Sequence, residues 1–140
     1  MTSPSDFFSI FNHDKNFLEI MKRLLHSSLE YSFSGIMITE AAKGYPIVYV
    51  NPSFCEMTGY SPEELLGKSP SILQGPRTDP KILERLQQDI SVGRLFHGRA
   101  VNYRKDGSEF MMEWKIAPIR NAADEISHYL AIQKDVSPQP

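Results

Sequence analysis

Three β patterns follow one another between residues 96 and 136, with only short polar connections between them. The first connection is Lys105-Asp106-Gly107, and an Asp-Gly pair is favoured in the tight turn of a β-hairpin. The second is the polar stretch 121–125. Strands joined by such short connections pair as antiparallel neighbours, so the pattern predicts an antiparallel sheet with strands over 96–104, 108–119 and 128–136.

The preceding half of the chain predicts one more hairpin and several short helices. Residues 35–39 and 47–50 are β-branched and apolar runs, and the stretch 41–46 turns the chain between them. Helix-start signals follow at Asn51-Pro52, at Ser61-Pro62-Glu63-Glu64 and at Asp79-Pro80. The last of these opens a longer helix that Gly93 ends, with one apolar face formed by Ile82, Leu83, Leu86 and Ile90.

The N-terminal segment carries a separate amphipathic pattern. Residues 1–12 lack clear periodicity, but Asp14 is a good N-cap residue for a helix. The apolar stripe of that helix consists of Phe17, Ile20, Met21, Leu24, Leu25 and Leu29. The stripe has two interpretations: it packs on its own domain, or it pairs with a second copy of the chain.

These elements predict an α+β fold, in which a five-stranded antiparallel sheet carries short helices over one face, with an N-terminal amphipathic helix beside it. The gap between the sheet and the helices is where a small ligand would bind. We divide the chain into a flanking segment over 1–30, a domain over 31–137 and the start of a linker over 138–140.

Composition and charge exclude several classes of function. The net charge is −2 without any basic block, so nucleic acid is not an expected partner. Neither a secretory signal nor a long apolar run is present, so we expect a cytoplasmic chain without membrane partners. The single Cys55 cannot form a disulfide framework, and the four histidines lack metal-ligand spacing. No catalytic arrangement of side chains is visible, so we predict no enzyme activity.

Residues 47–80, 101–110 and 129–137 together resemble the PAS domain family, which implies the same α+β fold and a sensory role. Within that family the chain is similar to light-oxygen-voltage (LOV) domains. The similarity rests on Leu73-Gln74-Gly75-Pro76, on residues 102–107 and on residues 132–135. LOV domains bind FMN and, after blue-light excitation, form a reversible bond between a cysteine sulfur and the flavin.

The resemblance places Pro70 at the position of that cysteine. The family pattern Gly-Arg-Asn-Cys-Arg-Phe-Leu-Gln-Gly aligns without a gap on residues 67–75, Gly-Lys-Ser-Pro-Ser-Ile-Leu-Gln-Gly. Proline has no nucleophile, so the resemblance implies that the adduct cannot form here. Cys55 lies on an earlier predicted helix, where a lone cysteine among apolar residues is a small core residue.

The same resemblance implies a mixed set of cofactor-binding residues. Gln74, Asn102 and Gln133 match positions that hydrogen-bond the flavin. Four other positions depart from the family pattern, because Ser69 and Met112 replace asparagines, and Ser71 and Gln87 replace phosphate-binding arginines. The loss of two guanidinium groups removes a bidentate hold on phosphate. Arg77 and Arg85 are the substitutes that we consider.

FMN is the flavin that Gln133 and the residues 73–76 favour. FAD is the alternative, because residues 68–73 and Glu113 also resemble FAD-binding PAS domains of redox sensors. We therefore predict a sensory signal-transduction domain that holds a flavin non-covalently, forms a homodimer through the N-terminal helix and acts on a downstream effector. The competing hypothesis is a cofactor-free interaction or dimerisation module whose pocket is filled by Met112, Phe110 and Ile72.

Overall fold

The computed structural model describes residues 3–9 and 16–138. Five strands form one antiparallel sheet in the order β2-β1-β5-β4-β3, so the last strand of the chain lies at the centre. The predicted fold class is confirmed. The elements are α1 Pro4–Ser9, α2 Phe17–Glu30, β1 Gly35–Glu40, β2 Ile47–Val50, α3 Pro52–Thr58, α4 Pro62–Leu65, a 3-10 helix Pro70–Leu73, α5 Pro80–Ser91, β3 Phe96–Tyr103, β4 Glu109–Arg120 and β5 Ile126–Asp135.

The predicted turns and caps form as the sequence indicates. Gly107 has φ 87°, the left-handed conformation that the turn between β3 and β4 requires. The Ser61 hydroxyl accepts from the backbone N–H of Glu64, whose carboxylate accepts from the N–H of Ser61 in return. Asp79 caps α5 by accepting from the N–H of Lys81. These local signals therefore fix where the helices on the sheet begin.

The N-terminal segment differs from its prediction. Residues 4–9 form the short helix α1, although the sequence there lacks clear periodicity. Asp14, predicted as the N-cap residue of α2, lies outside the described residues, and α2 begins at Phe17 after the N-cap residue Asn16. None of the helices in residues 3–9 and 16–138 has the length and apolar character needed to cross a membrane. The domain boundaries at 31 and 138 stay predictions.

Asn51 fastens α2 to the rest of the fold. Its side chain is fully buried, and its Oδ1 accepts from the N–H of Ile36 at 2.8 Å and of Phe54 at 3.0 Å. Its Nδ2 donates to the carbonyl of Leu29 at 2.8 Å and of Ser34 at 3.0 Å. One amide thus connects the end of α2, the start of β1 and the start of α3.

The apolar core has two parts. One part lies between β1, β2 and α3 and includes Met37, Ile47 and Phe54. The other lies between β3, β4 and α5 and includes Phe96 and Phe110. Partly buried Met57 and Ile116 pack against both parts. A cavity lies between the sheet and the helices, and residues of both parts of the core line it.

Candidate functional site

A cavity of about 240 Å³ lies between the sheet and the helices. This volume is slightly below the range of roughly 300–1,000 Å³ that is typical of small-molecule sites. The fold brings the six predicted cofactor-binding residues to its wall, together with Pro70 and Gln87. The predicted set is Ser69, Ser71, Gln74, Asn102, Met112 and Gln133.

Gln133 supplies a buried amide at the centre of the sheet. It lies on β5 opposite Gly35 of β1 and Trp114 of β4, and only 2% of its surface is exposed. Its Oε1 has no hydrogen-bond partner, and no other fully buried side-chain nitrogen or oxygen within residues 3–9 and 16–138 is left unpaired in this way. A buried unpaired acceptor costs about 1–3 kcal/mol. The oxygen is therefore a site for a donor that enters the cavity.

Asn102 supplies a second buried amide, on strand β3. It is 3% exposed, and its Nδ2 donates to the carbonyl of Ala100 at 3.2 Å. Met112 lies on the neighbouring strand β4 and is also 3% exposed. The polar amides thus alternate with apolar side chains, which is how small-molecule sites orient a largely apolar ligand.

Ser69, Pro70 and Ser71 form a self-capped turn. Pro70 is the first residue of the 3-10 helix, and Ser69 is its N-cap residue. The Ser69 Oγ accepts from the backbone N–H of Ser71 at 3.2 Å and from its hydroxyl at 3.0 Å. Both serines therefore bond each other and contribute to the shape of the wall. Gln74 follows at the C-cap position and is exposed at the cavity mouth.

Apolar and aromatic side chains form the remaining wall. Trp114 packs on Phe96 with ring centroids 5.1 Å apart. Tyr45 and Tyr129 meet edge to face at 5.9 Å and also line the cavity, but no sequence pattern predicts a role for either of them there. Tyr45 has φ 50°, a conformation that non-glycine residues rarely adopt. That strained backbone position at the end of the 41–44 turn has no signal in the sequence beyond the Gly44 before it.

The three side chains predicted to fill the pocket lie in different places. Met112 lines the cavity, but Phe110 packs against the β3–β4 part of the core and Ile72 against the β1–β2 part. A cavity remains between the sheet and α5, and Leu83, Leu86 and Ile90 of α5 line it.

The two arginines considered as phosphate ligands are engaged elsewhere. Arg77 pairs with Glu109 at 3.0 Å. Arg85 donates to the carbonyl of His97 and lies over the Phe96 ring, 5.3 Å from its centroid. Neither of them lines the cavity.

Glu113 and Cys55 also lie away from the cavity wall. Glu113 points to the opposite side of the sheet from its neighbours Met112 and Trp114, where its carboxylate contacts His97 Nε2 at 2.8 Å. That hydrogen bond lowers the pKa of Glu113. Cys55 is partly buried on α3 beside the β1–β2 core, and burial raises the pKa of its thiol. Within the described ranges no cluster of histidine, cysteine and acidic side chains is arranged to hold a metal ion.

Comparison with known proteins gives concordant results. The family model for the PAS domain matches residues 34–138. A nitrogen fixation regulatory protein of Klebsiella oxytoca is 33% identical over 81% of this chain and 23% of its own length. Phototropin-2 of Oryza sativa subsp. japonica is 37% identical over 79% of this chain and 12% of its own length. The chain thus spans less than a quarter of the length of either relative.

A solved LOV domain, studied with a flavin analogue, superposes with a TM-score of 0.77 at 34% identity, over 84% of this chain and 88% of that one. The five-stranded antiparallel sheet and its helices match the fold of that domain. The chain therefore belongs to the PAS domain family, as a sensory signal-transduction domain related to LOV photoreceptors.

Proposed function

We propose that this domain holds a flavin non-covalently in its cavity and signals through the bound flavin without a cysteinyl adduct. The observation that carries the proposal is the unpaired Oε1 of Gln133 at the wall of the cavity between the sheet and the helices. The flat ring of a flavin presents N–H and C=O groups at one edge, and these complement the amides of Gln133 and Asn102. The similarity to a LOV domain studied with a flavin analogue supports this ligand.

The absence of an adduct rests on the chemistry of the wall. Pro70 lines the cavity, and within the described residues no cysteine does. Cys55 packs against the core instead, and its raised pKa disfavours the reactive thiolate. A bound flavin would still supply redox or light-driven electron chemistry, and the wall would exclude water from its ring. We propose no catalysis by the domain itself.

The first test is uptake of flavin by the purified chain. We expect the chain, stripped of ligand and then mixed with FMN, to retain the visible absorbance of an oxidised flavin through gel filtration. Uptake should raise the free energy of unfolding by about 2.7 kcal/mol at a free ligand concentration one hundred times Kd. A chain that stays colourless with FMN, riboflavin and FAD alike would sink the proposal.

The matched comparison in this test is Pro70→Cys against Pro70→Ser. The first variant places a thiol on the cavity wall, and the second makes the same change of backbone without sulfur. In blue light and without an added electron donor, we expect reversible loss of the flavin absorbance only with Pro70→Cys. Equal loss and dark recovery in the native chain would contradict an adduct-free mechanism.

A second candidate function, homodimerisation through α2, is favoured by the surface of that helix. Leu18 and Leu25 are 71% and 62% exposed, and they lie seven residues apart on one face. A spacing of seven residues places both side chains on the same face, as in helices that pair with another helix. We propose that this face joins two copies and transmits the state of the cavity to a downstream effector.

The dimer is tested by light scattering after size exclusion. We expect the native chain to have the mass of two copies, and the double variant Leu18→Glu with Leu25→Glu to have the mass of one. Lys22→Glu is the control, because it changes the net charge by the same amount at an exposed position of the same helix. A monomeric native chain, or a dimer that survives the double variant, would refute the role of α2.

A further inference from the structure

The cavity wall is electrically neutral. The chain contains 15 lysine and arginine residues, but within the described residues neither these nor any acidic side chain line the cavity. Its polar atoms come from amides, hydroxyls and the indole. A ligand group with a formal charge would therefore find no opposite charge inside.

The mouth of the cavity is also uncharged. Its exposed polar residues are Ser71, Gln74 and Gln87. A terminal phosphate that emerged between them would stay in water, where it keeps its hydration and gains no ion pair. Hydrogen bonds from neutral donors to such an exposed group contribute little, because water competes for the same oxygens.

One candidate cation, Arg85, is held in place by its own contacts. Arg85 bonds the His97 carbonyl and lies over the Phe96 ring. Gly98 leaves the room that this position needs, because a Cβ at residue 98 would lie 2.6 Å from Arg85 Nη2. A turn of Arg85 toward the mouth would give up both contacts. The guanidinium therefore belongs to the packing of α5 on β3.

We propose that the cavity recognises only the uncharged part of a flavin, its ring and sugar-alcohol chain, and is indifferent to the terminal phosphate. This inference rests on the proposed function. Riboflavin should then bind as tightly as FMN, and the phosphate should not select between flavins. Affinity comes instead from the buried amides and the apolar wall.

The test is to titrate the stripped native chain with riboflavin, FMN and FAD and to measure Kd from quenching of flavin fluorescence. We expect the Kd values of riboflavin and FMN to agree within about threefold, and the Kd of FMN to be independent of salt, since no ion pair is screened. A phosphate held by a charge-assisted bond would instead make FMN at least about tenfold tighter.

A variant with an added positive charge tests whether a preference for the phosphate can be created. We expect Gln87→Arg to raise the preference for FMN over riboflavin by about tenfold, with the gain lost at high salt, because it places a guanidinium at the mouth. Gln87→Met, of similar length without charge, should leave the preference unchanged. Native FMN binding at least about tenfold tighter than that of riboflavin overturns this inference but leaves the proposed function standing. No binding of any of the three flavins overturns both.

Discussion

Replacement of Asn51 by alanine is expected to lower the free energy of unfolding by about 3–5 kcal/mol, although the residue lies outside the cavity wall. The amide is fully buried and makes four hydrogen bonds to backbone groups. Alanine leaves two N–H groups and two carbonyls without these partners in a space closed to solvent. Each such loss costs about 1–3 kcal/mol, and relaxation or an entering water recovers part of the sum.

Urea unfolding of the native chain and of Asn51→Ala measures this loss of unfolding free energy. Ser53→Ala is the matched control, because the neighbouring Ser53 hydroxyl makes a single bond to the carbonyl of Ser32 at 2.6 Å. We expect that control to lose about 1 kcal/mol. Hydrogen exchange should also show faster opening at the end of α2 in Asn51→Ala, since Leu29 loses its link to the fold. Equal losses in the two variants would contradict the role assigned to Asn51.

Asn51 also shows which part of the fold can be predicted from sequence. Its capping of α3 is predicted, because the signal Asn51-Pro52 is local and the partner Phe54 is three residues away. Its bonds to Leu29, Ser34 and Ile36 are not, because those partners lie 15 to 22 residues earlier in the chain. Local caps, turns and strand patterns predict the elements, whereas contacts between distant segments appear only after the chain is folded.

The cavity residues divide in the same way. Gln74, Asn102 and Gln133 are identified through a resemblance to a family. Such a resemblance includes knowledge of which positions lie close together in the folded domain. Tyr45 and Tyr129 come from a turn and from the central strand, and no local pattern relates one to the other. The engagement of Arg85 with β3 likewise depends on packing. The sequence pattern places Arg85 on α5 but does not show which groups its side chain contacts.

Gln133→Leu is expected to change stability and ligand affinity in opposite directions. Leucine removes the unpaired oxygen and fills similar volume, so the ligand-free protein should become about 1–3 kcal/mol more stable. The same change removes the amide that we propose to meet the flavin ring, so FMN affinity should fall by at least about tenfold. Thermal unfolding of stripped protein and fluorescence titration measure the two quantities separately.

Asn102→Leu is the control for the opposite changes in stability and flavin affinity expected of Gln133→Leu. Its amide is equally buried and lines the same cavity, but its Nδ2 already bonds the Ala100 carbonyl. We expect this variant to lose flavin affinity without any gain in ligand-free stability. A residue retained for folding would lower stability when it is replaced, as Asn51 does. If only Gln133→Leu gains stability, the unpaired acceptor destabilises the ligand-free fold and is retained for binding. If Gln133→Leu instead destabilises the stripped protein, its amide already serves the fold, and the main argument for a bound flavin is lost.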